Sequence, residues 1–131
     1  MLMAVVSVFA QKVVKKETLK TTDLGNQKLE VVINGQDTTY AVALKTGNMF
    51  QKYIIVGLGG TDQALKLLEF LENYESQKGD IIDFENPTGN TAKYQGASGY
   101  LVYSEGGHLS GHLRKPNIRG FIKEIKSFSH R

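Results

Sequence analysis

Cysteine and tryptophan are absent from this chain of 131 residues, and proline occurs only twice. Without cysteine the chain can form no disulfide, thiolate nucleophile, cysteine-bound zinc site or lipidated N-terminal cysteine. No stretch after residue 10 is apolar over the roughly 20 residues that a transmembrane helix needs. Hydrophobic residues make up 40% of the chain and charged residues 22%, which predicts a single domain over residues 11–131.

The first ten residues, MLMAVVSVFA, carry no charge and are almost wholly apolar. Their length, with Val8 and Ala10 before Gln11, is typical of the apolar region and cleavage site of a signal peptide, although the usual positive start is missing. We interpret residues 1–10 as a truncated signal peptide, which predicts an exported, periplasmic or extracellular protein. The alternative is a first strand in a cytoplasmic protein.

Alternation of apolar and polar residues predicts a sheet built from hairpins. It occurs on both sides of Asn34-Gly35, a pair that favours a tight hairpin turn because both residues tolerate positive φ. Residues 100–103 and 108–113 form a second predicted hairpin. Residues 12–22 predict an edge strand, residues 49–56 and 80–84 predict further strands, and residues 85–98 predict a long loop.

Two segments show helical periodicity, and together with the strands they predict an α+β fold. The first runs from about Asp62 to Gln77 with Thr61 as N-cap, and the second begins at Pro116. Each has an apolar stripe that a sheet would cover. We therefore expect a mostly antiparallel sheet of about 5–7 strands with two amphipathic helices packed on one face.

The glycine-rich turn Gly57-Leu-Gly-Gly60 lies between a predicted strand and a predicted helix, where phosphate-binding turns occur. The sixth position from Gly57 is Asp62, so the dinucleotide fingerprint is incomplete, and the lysine and hydroxyl of a P-loop are also missing. Asp62 would place its own negative charge at the positive end of the helix dipole. The turn predicts a capped helix start, and no cofactor is predicted.

His108-Leu-Ser-Gly-His112 is the segment with most potential for chemistry. Its strand-like alternation would separate the two histidines by roughly 13 Å, which is too far to share a metal ion. Ser110 lies between them, so one alternative function is a small hydrolase or transferase that uses His108, Ser110 or His112 with a carboxylate near Asp83. Asp80, Asp83 and Glu85 provide oxygen ligands of the kind calcium prefers, but turn chemistry accounts for them equally well.

Charge is unevenly distributed although the net charge is only +3. Residues 62–85 hold seven acids and two lysines, whereas residues 108–131 hold six basic residues and one acid. Arg119, Lys123 and Lys126 follow one flank of the last helix, which predicts either a solvated helix face or a surface for anionic lipid or nucleic acid.

These observations favour an exported, non-catalytic binding or interaction module, with a protein or a small ligand as partner. The candidate binding surface is His108, Ser110, His112, Arg114, Lys115, Arg119, Lys123 and Lys126. The alternatives are the small hydrolase or transferase described above, and a binder of anionic lipid or nucleic acid through the basic C-terminal helix.

Overall fold

The computed structural model describes residues 14–130, so the interpretation of residues 1–10 lies outside the described residues. Eight strands and two helices follow one another along this part of the chain. They are β1 (Val14–Thr22), β2 (Gln27–Asn34), β3 (Asp37–Lys45), β4 (Tyr53–Gly59), α1 (Thr61–Asn73), β5 (Ile81–Asp83), β6 (Thr91–Tyr94), β7 (Tyr100–Tyr103), β8 (Ser110–Leu113) and α2 (Lys115–Ser129).

The α+β class and the antiparallel pairing are confirmed, but the prediction of one sheet of about 5–7 strands is wrong. The strands form two four-stranded antiparallel sheets, with orders β1-β2-β3-β4 and β5-β6-β7-β8. The alternation of apolar residues shows which strands have a buried face, but it contains nothing that states where one sheet ends and the next begins. The division is set by strand pairing: β4 is the last strand of the first sheet, and β5, which follows α1, pairs with β6 and not with β4.

Both predicted hairpins are present. Asn34 faces Asp37 across the β2–β3 turn, where Gly35 has a φ of 64°, and β7 pairs with β8. The predicted long loop over residues 85–98 is wrong, because it contains β6 and a short 3-10 turn at Gly96–Ser98. β6 lies between β5 and β7 in the second sheet, and it pairs with both neighbouring strands.

The helices follow the predicted stripes more closely than the predicted ends. In α2, the apolar stripe is buried as expected: Ile118, Phe121, Ile122 and Ile125. In α1, the helix ends at Asn73 rather than near Gln77, and its N-cap is Gly60 rather than Thr61. The Gly60 N–H donates to the Gln63 side chain at 3.1 Å, which is the hydrogen bond that the N3 side chain makes in a capping box.

One hydrophobic core joins the two sheets and the two helices. The helices contact each other, α1 also contacts β3 and β4, and α2 contacts β1. The sheets meet where β8 passes β3, and at this point Gly111 is so close that a Cβ atom would lie 2.9 Å from the Leu44 Cβ. Neither helix within residues 14–130 is long and apolar enough to cross a membrane.

Candidate functional site

The basic flank of α2 is partly neutralised by α1. The Arg119 Nε lies 2.9 Å from a Glu72 carboxylate oxygen, and the Lys126 Nζ lies 3.5 Å from Glu69. The acidic and basic segments of the sequence therefore face each other across the helix pair. Such exposed pairs contribute little to stability, about 0–1 kcal/mol each, but they reduce the positive field that α2 presents to a polyanion.

Lys115 does not lie on this flank, although the candidate binding surface expected from the sequence includes it. Its side chain is buried, its Nζ donates to the Tyr74 carbonyl, and the same atom lies 5.2 Å from the centre of the Tyr94 ring. A buried ammonium group held by a carbonyl and an aromatic face has a structural role in the packing of the protein. Lys123 is exposed on α2.

The histidine and serine of the predicted strand are not assembled with a carboxylate. His108 lies in the turn before β8, so only Ser110 and His112 belong to the strand. Ser110 and Asp83 occupy the same row of the second sheet, because Ser110 faces Tyr103, Tyr103 faces Thr91 and Thr91 faces Asp83. Three strand spacings separate them, roughly 14 Å, which excludes a direct contact between Ser110 and Asp83.

The acids near β5 stabilise their own turns. The Tyr74 hydroxyl donates to the Asp80 carboxylate at 2.5 Å and the Gln77 N–H donates to it at 3.0 Å. The hydrogen bond from Tyr74 holds the pKa of Asp80 below its ordinary value, and the same bond raises the pKa of Tyr74. Asp83 accepts the Glu85 N–H at 2.8 Å. Within residues 14–130, no group of three His, Asp or Glu side chains is placed to hold a metal ion.

A cleft of about 540 Å³ lies where the first sheet meets β8, and we call it the junction cleft. It brings together residues from three separate parts of the chain: Asn26, Gln27, Lys45, Thr46, Gly47, His112 and Arg114. Two of these, His112 and Arg114, belong to the surface expected from the sequence. None of the described lining residues is Asp or Glu, and three of them carry basic side chains.

Two close contacts between separate segments of the chain explain why these residues meet. The Lys45 N–H donates to the Asn26 carbonyl at 2.8 Å, which joins the start of β2 to the end of β3. His112 follows Gly111 on β8 and Arg114 lies just after the strand, at the start of α2, and the missing side chain of Gly111 allows β8 to approach Leu44 and Lys45. Thr46 is buried and has a structural role, because its hydroxyl donates to the Gln51 carbonyl and accepts the Asn48 N–H at 3.1 Å.

Sequence reasoning missed Lys45 and Gln27. Lys45 ends an alternating strand, a position where lysine is common. Gln27 could have been found, because it shares the inward-facing parity of Leu29 and Val31 and is only 1% exposed. A polar side chain at an inward position of a strand indicates a polar site or a buried hydrogen bond.

The chemistry of the junction cleft favours an anion. The side chains of lysine, arginine and histidine donate hydrogen bonds and can carry positive charge, and Asn26 adds an amide donor. The volume is within the range of small-ligand sites. Comparison of the chain with protein-family profiles, with curated proteins and with solved structures finds no match.

Proposed function

We propose that this protein is a non-catalytic binding module that holds a ligand with a phosphate or carboxylate group in the junction cleft. The observation that carries the proposal is the convergence of Lys45, His112 and Arg114 from two sheets and a helix start on one cleft, with no acid among its described lining residues. Opposite charge and multiple donors are what recognise such a group.

A binding role is favoured over a hydrolase or transferase by the surroundings of the histidine. Acid–base or nucleophilic catalysis needs a nucleophile or a carboxylate within hydrogen-bond reach of the base. The groups that share the cleft with His112 are cations, amides, a glycine and the engaged hydroxyl of Thr46. These groups bind an anion but do not activate a nucleophile.

The test is a titration of the full chain with inorganic phosphate, followed by NMR at the His112 ring and the Gly47 amide. We expect both signals to move, and we expect Lys45→Gln to weaken binding about tenfold or more, because a hydrogen bond to a charged group contributes about 1.5–3 kcal/mol. Arg114→Gln should act in the same direction.

Two exposed lysines outside the cleft provide matched controls. Lys93→Gln on β6 and Lys123→Gln on α2 remove the same charge and should change phosphate affinity little. Equal losses in all the lysine variants would show a general charge effect and contradict the proposal. A loss confined to Lys123→Gln would instead favour the flank of α2, and no response at His112 would end the proposal.

Export remains part of the proposal and is supported by the uncharged segment MLMAVVSVFA alone. Intact-mass measurement of the protein from its native host tests this part separately. A chain that retains Met1 in the cytosol would remove export and leave the anion site standing.

A further inference from the structure

Three apolar side chains protrude from one end of the first sheet. Among the described residues they are the most exposed large hydrophobic side chains: Leu24 (106%), Phe50 (93%) and Met49 (78%). We call them the apolar tips. An isolated exposed leucine is ordinary on a protein surface, but a concentration of the most exposed apolar side chains on one end indicates an interaction surface.

The apolar tips belong to two loops that are joined to each other. Leu24 lies in the β1–β2 turn, and Met49 and Phe50 lie in the β3–β4 loop. The Tyr53 hydroxyl donates to the Gly25 carbonyl at 3.0 Å, which ties the base of the second loop to the first turn. The junction cleft lies near the same end, because its lining residues Asn26 and Lys45 directly adjoin these loops.

The β3–β4 loop is held in shape by its own hydrogen bonds. The Asn48 side chain accepts the N–H of Phe50 at 2.7 Å and that of Gln51 at 3.1 Å, and the Thr46 N–H donates to the Lys52 carbonyl at 2.6 Å. Met49 and Phe50 therefore point outward from a closed turn and do not depend on contacts with the rest of the protein.

Leu24 has a backbone conformation that leucine rarely adopts. Its φ is 57° and its ψ is 34°, in the left-handed region where glycine and asparagine are far less strained. The turn therefore holds Leu24 in a strained conformation with its side chain fully exposed, so the side chain contributes nothing to the hydrophobic core. Such strain is a reason to look for a function of the side chain outside the folded domain.

Lysines lie close in sequence to the apolar tips. Residues 23–28 and 45–53 contain Lys28, Lys45 and Lys52 against one acid, Asp23. We propose that this end of the first sheet docks on an anionic lipid bilayer, with the apolar tips in the interfacial layer and a lipid phosphate in the junction cleft. This inference rests on the proposed function, since it identifies the anion of the cleft as a headgroup.

A bilayer fits this surface better than a protein partner. Hot spots of protein–protein interfaces are side chains, most often Trp, Tyr or Arg, that fill complementary pockets within a packed interface. Here the three side chains protrude from two loops, with lysines nearby in sequence, an arrangement that needs no shaped partner. Apolar side chains that enter the interface and cations that meet anionic headgroups act together in this kind of binding.

The absence of tryptophan allows a direct test. Phe50→Trp in the full chain supplies a single reporter, and Phe70→Trp on α1, also at an exposed phenylalanine, supplies the control. On vesicles of phosphatidylcholine and phosphatidylglycerol we expect the tryptophan emission of the Phe50→Trp variant to shift to shorter wavelength and to be quenched by brominated acyl chains. The emission of the Phe70→Trp variant should stay unchanged, and neither variant should respond to pure phosphatidylcholine.

Variants of the tips separate docking from folding. Met49→Ser and Leu24→Asn should each weaken co-sedimentation with the anionic vesicles about tenfold, because each removes a side chain that the interface buries. Leu24→Asn should do so while leaving thermal stability equal or higher, since asparagine accepts the left-handed conformation. Both should leave the phosphate response of His112 unchanged, whereas Lys45→Gln should weaken vesicle and phosphate binding together.

The outcomes distinguish this inference from the proposed function. A phosphate response at His112 without vesicle binding overturns membrane docking, leaves the anion site standing and makes the tips a surface for a protein partner. Equal binding to neutral and anionic vesicles, or equal emission shifts in the two tryptophan variants, also overturns the inference. Vesicle binding that does not depend on Lys45 overturns the headgroup assignment.

Discussion

Single buried side chains connect the second sheet to the helices. Tyr100 is fully buried, its hydroxyl donates to the Leu71 carbonyl at 2.5 Å, and its ring centroid lies 5.5 Å from that of Tyr94. Leu71 is near the end of α1, so this hydrogen bond fixes the helix to β7. Burial raises the pKa of Tyr100 well above its ordinary value, and the neighbouring tyrosines add to the shift.

Tyr100 should make the fold sensitive to alkali. A tyrosine with a raised pKa in the folded state keeps its proton where the unfolded chain loses it, so its contribution to stability is complete below about pH 10 and falls as the pH rises further. Tyr100→Phe should cost about 1 kcal/mol at neutral pH through the lost hydrogen bond, and its stability should fall less steeply above about pH 10. Urea unfolding across this pH range measures both effects.

Tyr103→Phe, on the same strand, is the matched control for that series. If the Tyr100→Phe variant and the unmodified protein lose stability equally at alkaline pH, another group is responsible for the loss. Tyr74, whose pKa is also raised, would then be the next tyrosine to replace.

The segment between β5 and β6 is held against both sheets by side-chain hydrogen bonds. The Asn86 Nδ2 donates to the Gly57 carbonyl at 2.8 Å, and the Thr88 hydroxyl accepts the Gly57 N–H at 2.7 Å. Asn90 is buried, its Nδ2 donates to the Tyr103 carbonyl at 3.0 Å, and its Oδ1 accepts from Asn86 at 2.9 Å. This amide network joins β4 of the first sheet to β7 of the second.

Asn90→Ala should destabilise the protein by about 1–3 kcal/mol, because it leaves buried hydrogen-bonding groups without partners. Asn73→Ala, at the exposed end of α1, should stay within about 0.5 kcal/mol. Denaturant unfolding of the two variants gives the comparison. Equal effects would mean that the amide network does not join the sheets in an energetically significant way.

The same segment shows where prediction from sequence reached its limit. Asn, Pro, Thr and Gly indicated turns over residues 85–98, and a turn is present at residues 86–90. The four residues of β6, however, have no alternation strong enough to stand out, and their strand conformation comes from the ladders with β5 and β7. Tertiary pairing outweighs local preference in short central strands.

The complete described chain repeats one order of elements, four antiparallel strands followed by a helix. The residues of the two units show no matching pattern, so the repeat is visible only in the structure. The two units share one core and meet most closely at Gly111, where a Cβ atom would lie 3.0 Å from the Lys45 carbonyl oxygen. The junction cleft therefore depends on how closely the two sheets pack.

Gly111→Ala should lower stability by about 1–3 kcal/mol, because the added methyl group would meet the backbone and side chain of β3 and push the sheets apart. It should also weaken phosphate binding, since Lys45 follows the displaced Leu44. Gly47→Ala is the control for stability, because no heavy atom lies within 4 Å of its would-be Cβ. Thermal unfolding and the phosphate titration test the two effects, and unchanged stability in the Gly111→Ala variant would contradict the packing argument.

Local sequence was sufficient for the α+β class, the Asn34-Gly35 hairpin and the buried stripes of both helices, because each depends on contacts within about ten residues. The division into two sheets was decided by strand pairing, the burial of Lys115 by its contacts with Tyr74 and Tyr94, and the meeting of Lys45 with His112 and Arg114 by the packing of β8 against β3. Residues far apart in the chain have no periodicity that relates them. Only the folded arrangement of the strands brings their charges onto one cleft.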